Sequence, residues 1–177
     1  MKNTAIVIAI IVLFLILYFL QVNFFSWFTI AGIKPNLFVI FVLFLGLFGG
    51  KRIAIPMGIV FGLSLDIFMN QKIGVSAIML GIIGALGGFL DKNFSKDSRM
   101  TIILMTALVT FLYETGIYFM NYFFIGSSIE LFSFLKILAI EMVYNVILMT
   151  IFYPLLQKAG YFIEDSFKGK KILTRYF

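Results

Sequence analysis

The sequence predicts an all-α membrane protein, and three observations support this prediction. Hydrophobic residues make up 62% of the 177 residues, whereas charged residues make up only 12%. The mean hydropathy is +1.10, which leaves too little polar surface to cover a water-soluble globule. The apolar residues also form runs long enough for helices to cross a hydrocarbon core of roughly 30 Å. We therefore expect a single integral membrane domain that spans the bilayer several times.

Six apolar runs are candidate membrane helices, since a span needs roughly 20 residues. They lie at about residues 4–22, 37–50, 53–69, 73–90, 100–123 and 135–157. Only Lys51 and Arg52 separate the short second and third runs, so one long helix, and five spans in total, is the alternative. Gly49, Gly50 and Pro56 favour a tight turn there. The prediction is a compact bundle of six transmembrane helices.

The two ends of the chain each allow two interpretations. Lys2 precedes a long apolar run, as in a signal peptide, but no small-residue cleavage site follows at the right distance. We expect a retained helix with Trp27 at the far interface. Residues 158–177 form a basic tail in which hydrophobic residues and cations alternate. This tail suits either an interface rich in anionic lipid or a simple stop-transfer flank.

The distribution of cations predicts the orientation, because cytoplasmic loops collect Lys and Arg. With six spans, eleven cations fall on one side and three on the other, so both termini should be cytoplasmic. The larger set is Lys2, Lys51, Arg52, Lys92, Lys96, Arg99, Lys158, Lys168, Lys170, Lys171 and Arg175, and the smaller set is Lys34, Lys72 and Lys136. A net charge of +6 that follows topology gives no support to nucleic-acid binding.

The composition argues against an enzyme. The chain has neither Cys nor His, which removes thiol catalysis, disulfides, Cys/His zinc sites and imidazole acid–base chemistry together. Eight acidic residues scattered over the chain are a poor basis for a carboxylate metal site. We therefore predict no catalytic residue, no cofactor and no metal.

The third run contains the most informative pattern in the chain. Gly58, Gly62 and Asp66 follow one another at four-residue steps, so one helix face has two bare backbone patches and then a carboxylate. A charge at bilayer depth costs roughly 2.5 to 3.5 kcal/mol on insertion scales. The apolar residues of this run barely offset that cost, so the helix should depend on its neighbours. The fourth run has a matching surface at Gly81, Gly84, Gly87 and Gly88.

Two further acids, Glu114 and Glu141, lie in predicted spans. At about 1.5 Å per residue, both are roughly 20 to 24 Å from the cytoplasmic helix ends, at a depth similar to that of Asp66. Three roles remain open for these acids. The first is hydrogen bonding that holds the helices together, the second is lining a cavity or contacting a partner, and the third is transport. Transport is the least favoured, because few companion charges line a pathway.

The order and spacing of several motifs resemble the MreD family, the integral membrane proteins of the bacterial rod-shape system. These motifs are Lys34-Pro35-Asn36-Leu37, Lys51-Arg52, Gly58-x-x-x-Gly62-x-x-x-Asp66, Gly74 and Leu112-Tyr113-Glu114. Asn36 is a departure, since Asp is frequent at that position in the family.

The resemblance implies a non-enzymatic scaffold of the elongasome in the bacterial plasma membrane. Such a scaffold would bind MreC and work beside MreB, RodA and a class B penicillin-binding protein in lateral peptidoglycan synthesis, which maintains cell shape. The fold would be similar to the S components of energy-coupling-factor transporters, so a vitamin-binding S component is the alternative function. The expected packing or partner-contact residues are Pro35, Gly58, Gly62, Asp66, Gly74, Glu114 and Glu141.

Overall fold

The computed structural model describes residues 2–69, 73–93, 98–126 and 130–167, and this part of the chain is a bundle of six helices. The helices are α1 (Lys2–Phe19), α2 (Leu37–Gly49), α3 (Lys51–Met69), α4 (Val75–Asn93), α5 (Arg99–Ile125) and α6 (Leu131–Phe167). A π-helical turn and a short α-helical turn continue α1 as far as Trp27. The described residues contain no β-strand, apart from one isolated bridge between Ile30 and Ile33. The predicted all-α class is confirmed.

Helix α2 lies at the centre of the bundle. All thirteen of its residues are buried, and α3, α4, α5 and α6 pack around it. A helix that is apolar on every side requires this kind of enclosure. Thirteen residues extend only about 20 Å, so α2 is shorter than the hydrocarbon core and is shielded by its longer neighbours.

Four helical stretches are long and apolar enough to cross a membrane, judged by length and composition. They are Ile8–Trp27, Val75–Asn93, Arg99–Phe123 and Leu131–Asp165, and α2 is a shorter apolar helix. Helix α3 is not among the four, and it carries Lys51, Arg52 and Asp66. The structure therefore supports a membrane protein with several apolar helices, and the count of six spans stays a prediction.

The structure confirms one predicted helix boundary and corrects another. Helices α2 and α3 are separate, with Gly50 at a φ of +81° between them, so the alternative of one long helix is wrong. Helix α6 starts before position 135 and continues past position 157 to Phe167. It continues because its last turns still pack against α2: the rings of Tyr161 and Phe48 lie 5.6 Å apart. The first half of the predicted tail is thus helical, and residues 168–177 lie outside the described part.

Candidate functional site

The glycines of α3 and α4 bring the two helix backbones into direct contact. A Cβ atom added to Gly58 would lie 2.5 Å from the carbonyl oxygen of Leu80, and one added to Gly84 would lie 2.5 Å from that of Ala54. Gly62 faces the backbone of Ala77 in the same way. Since these neighbours are backbone atoms, they cannot rotate away from a larger side chain. The two antiparallel helices therefore depend on these glycines for their close packing.

Asp66 lies at the end of this contact and caps the N-terminus of α4. Its side chain is fully buried. Its Oδ2 atom accepts hydrogen bonds from the backbone N–H groups of Gly74 at 2.8 Å, Ser76 at 3.1 Å and Ala77 at 3.3 Å. The first turn of a helix has N–H groups without intrahelical partners and the positive end of the helix dipole. Both features stabilise a carboxylate, so α4 itself accommodates the buried acid.

Gly74 makes this geometry possible. Its φ is +105°, a conformation that side-chain-bearing residues rarely adopt. Its carbonyl oxygen accepts a hydrogen bond from Ile78 at 3.0 Å, so Gly74 opens helix α4 while its own N–H points to Asp66. The four sequence-predicted residues Gly58, Gly62, Asp66 and Gly74 thus belong to one internal contact between α3 and α4.

Pro35 belongs to a second polar contact, at the N-terminus of α2. The side-chain amide of Gln21 donates to the Pro35 carbonyl at 2.7 Å and accepts from the Leu37 N–H at 3.1 Å. The Asn36 N–H donates to Asn145 Oδ1 at 2.8 Å, and the Asn36 side chain caps the helix by accepting from Val39. The π-helical turn after α1 and helix α6 together position the start of α2.

Asn145 extends this contact to α5. It is fully buried, and its Nδ2 atom donates to Thr110 Oγ1 at 3.0 Å. Gln21 was not predicted from the sequence as a contact residue. The one sign in the sequence was that Gln21 is an isolated amide side chain at the end of a long apolar run. Such a residue is equally typical of a helix end at the membrane interface.

Glu114 and Glu141 face each other from α5 and α6, and their carboxyl groups are close enough to interact. Glu141 is only 7% exposed. Two pockets meet at Glu114 and Ile117, with volumes of about 230 Å³ and about 250 Å³. The first extends towards Gln21, Asn36 and Ser76, and the second lies between the C-terminal part of α5 and the N-terminal part of α6. We call the second pocket the α5–α6 cleft; its lining is Glu114, Ile117, Tyr118, Asn121, Glu130, Ser133, Phe134 and Ile137.

Three buried polar atoms of α5 and α6 in this part of the sequence have no hydrogen-bond partner within the described residues. They are Glu141 Oε1, Tyr118 Oη and Thr115 Oγ1. Buried polar atoms in native proteins are nearly always paired, so unpaired ones require an explanation. Over the same described part of the chain, no group of three or more His, Cys, Asp or Glu residues could hold a metal ion. The arrangement is a hydrogen-bonding surface that includes two carboxyl groups.

Comparison with known families agrees with this architecture. The family model for the rod shape-determining protein MreD matches residues 1–159. The chain belongs to the MreD family. The match covers α1 to α5 and most of α6, including every predicted site residue. No curated protein and no solved structure matches the chain. Membership of the MreD family indicates a membrane protein with a role in rod-shape determination.

Proposed function

We propose that the protein is a non-enzymatic membrane scaffold that binds MreC and supports lateral peptidoglycan synthesis. MreB, RodA and a class B penicillin-binding protein are the further partners proposed for this machinery. The family match supports a role in rod shape. The unpaired buried atoms of Tyr118, which lines the α5–α6 cleft, and of Glu141, beside Glu114 of that lining, are the observation that supports a partner contact.

The interior of the protein suits a rigid platform. Asp66 is bonded to three backbone N–H groups of the α4 N-terminus, and glycines on both helices bring α3 and α4 together without intervening side chains. Asn145 joins α6 to α5 and to the start of α2. These polar groups already have partners inside the chain. They therefore hold the helices in place, and we do not assign them to MreC.

At the α5–α6 cleft, in contrast, some buried polar atoms lack partners within the described residues. Tyr118 lines the cleft, and its Oη atom is buried but unpaired within the described residues. Glu141 does not line the cleft, but its carboxyl group is close to that of Glu114, which does, and its Oε1 atom is also unpaired. Glu130 and Ser133 line the cleft as well. A donor group from a neighbouring transmembrane helix would pair with these atoms, and hydrogen bonds between helices are a recognised source of association in membranes. We propose that Glu114 and Glu141 contact the membrane helix of MreC.

Purification from cells in mild detergent tests the scaffold function. The protein should carry MreC with it in a constant ratio, and the complex should contain no tightly bound small molecule. Mass spectrometry of the complex under native conditions measures both. A preparation that contains no MreC when MreC is co-expressed would overturn the proposal.

The alternative, a vitamin-binding S component, is favoured only by the two pockets beside Glu114. Each is smaller than the roughly 300 to 1,000 Å³ typical of small-molecule sites, with volumes of about 230 Å³ and about 250 Å³. The same mass measurement distinguishes the two functions, because an S component would retain one vitamin per chain.

A further inference from the structure

A pocket at the opposite end of the bundle from the α5–α6 cleft lies at the turn between α2 and α3. Its volume is about 500 Å³. Its lining is Gly49, Gly50, Lys51, Arg52, Ile53, Gly88, Asp91 and Lys92. These residues end α2, begin α3 and form the last turns of α4. Polar residues at the ends of apolar helices lie at the level of the lipid headgroups, so the pocket opens at the membrane–water interface.

Three glycines line this pocket. Gly88 lies against the backbone of Lys51, where an added Cβ atom would be 2.5 Å from the Lys51 nitrogen. Gly50 has a φ of +81° and turns the chain from α2 into α3. Gly49 and Gly88 are buried, whereas Gly50 is partly exposed. A polar group from outside can therefore approach the part of the pocket wall that the Gly50 backbone forms.

The side chains around this wall are mostly cationic. Lys51, Arg52 and Lys92 are exposed, and Asp91 is partly buried. The four charged residues of the lining therefore have a formal net charge of +2. Arg presents several donors in a fixed fork that matches phosphate oxygens, and Lys supplies compact point charges. An anionic phosphate group is the chemistry that fits this lining.

The position of the pocket identifies the source of that phosphate. Apolar side chains of α3 and α4, including Ile59 and Phe89, are exposed on the outside of the bundle, where acyl chains would lie. A ligand with a phosphate at the interface and hydrocarbon beside the helices is a phospholipid, and basic pockets between membrane helices bind acidic headgroups. We propose that the pocket lined by Lys51, Arg52 and Lys92 binds the headgroup of an anionic phospholipid.

The experiment compares lipid binding by two variants that lose the same charge. One is the double variant Arg52→Gln and Lys92→Gln in the pocket. Its control is the double variant Lys136→Gln and Lys158→Gln, whose lysines are exposed on α6 and do not line the pocket. Purified protein is titrated with phosphatidylglycerol or with phosphatidylcholine, and native mass spectrometry counts the bound lipids. Binding of phosphatidylglycerol to the pocket variant should be about 30-fold weaker than to the parent protein, because two cations that attract the anionic headgroup have been removed.

The control variant should bind phosphatidylglycerol as the parent protein does, and phosphatidylcholine should bind weakly to all three. Equal loss in the two double variants, or equal binding of both lipids to the parent protein, would overturn the proposal. Inorganic phosphate is added as a competitor. If it displaces the lipid at comparable concentrations, the pocket is a site for free phosphate and the lipid assignment is wrong. If the pocket variant aggregates, the single variant Lys92→Gln is tested in the same titration and should bind about fivefold more weakly, from one cation.

Discussion

The Asp66 carboxylate lies 2.8 Å from the backbone nitrogen of Gly74, at the point where α3 ends and α4 begins. Ser76 and Ala77 donate to the same carboxylate from the next residues of the chain. An acid that is fully buried in the helix bundle is therefore paired with a helix N-terminus of its own chain. This pairing fixes the α3–α4 hairpin at one end, and the glycine contacts of Gly58, Gly62 and Gly84 fix it along its length.

Replacement of Asp66 tests this pairing. Asp66→Asn should keep most of the thermal stability, because an amide oxygen still accepts from the N–H groups at a helix N-terminus. Asp66→Leu should lower the amount of protein in the membrane severely, since it leaves several buried N–H groups unpaired at about 1 to 3 kcal/mol each. Ser64→Ala is the control, because Ser64 is only partly buried and its hydroxyl donates to Val60 within α3 itself. Thermal unfolding in detergent provides the measurement, and equal stability of the Asn and Leu variants would show that the cap is unimportant.

A pair of glycine substitutions tests the backbone contact between α3 and α4. Gly58→Ala should destabilise the protein by about 1 to 3 kcal/mol, as overpacking usually does, because the added carbon meets the Leu80 carbonyl at 2.5 Å. Gly49→Ala is the matched control, since its nearest neighbour, Ile53, would be at an ordinary 3.6 Å. The shift in unfolding temperature measures the difference. The packing account fails if both variants unfold at the temperature of the parent protein.

Asn145 is expected to be the most important single polar residue of α6 for stability. Asn145→Leu removes the partner of the Asn36 N–H and of the Thr110 hydroxyl, which should cost about 1 to 3 kcal/mol for each group left unpaired. Thr110→Val removes only the second bond and should cost less. Unfolding temperatures of the two variants and the double variant measure the contributions. A Thr110→Val variant that is as unstable as Asn145→Leu would contradict this ranking.

A structural feature could be predicted from the sequence when its signal lies within one segment of the chain. The apolar runs located six helices because length and hydropathy are properties of a single segment. The four-residue steps from Gly58 to Asp66 predicted a packing face for the same reason. The donors to Asp66 are backbone N–H groups, which every residue except proline has, so no residue type marked them. Likewise, the continuation of α6 to Phe167 depends on its contact with α2, which the local pattern does not contain.

The proposed orientation can be measured directly because the chain has no cysteine. Single-cysteine variants at Lys92 and Glu130, which are both exposed, report the two sides of the membrane. In intact spheroplasts, an impermeant maleimide should label Glu130→Cys at once and Lys92→Cys only after permeabilisation, as expected for cytoplasmic termini. Labelling of Lys92→Cys in intact spheroplasts would reverse the orientation.

The most direct test of the scaffold proposal is the amount of MreC that co-purifies with a Glu141→Ala variant. Val143→Ala is the control, because Val143 is on the same helix but is 58% exposed. If Glu141 accepts a hydrogen bond from the MreC helix, its loss should weaken the complex about tenfold or more. The Val143→Ala variant should retain MreC fully, and both variants should accumulate to the same level. Undiminished recovery of MreC with Glu141→Ala would contradict the assignment of Glu141 as a partner contact beside the α5–α6 cleft.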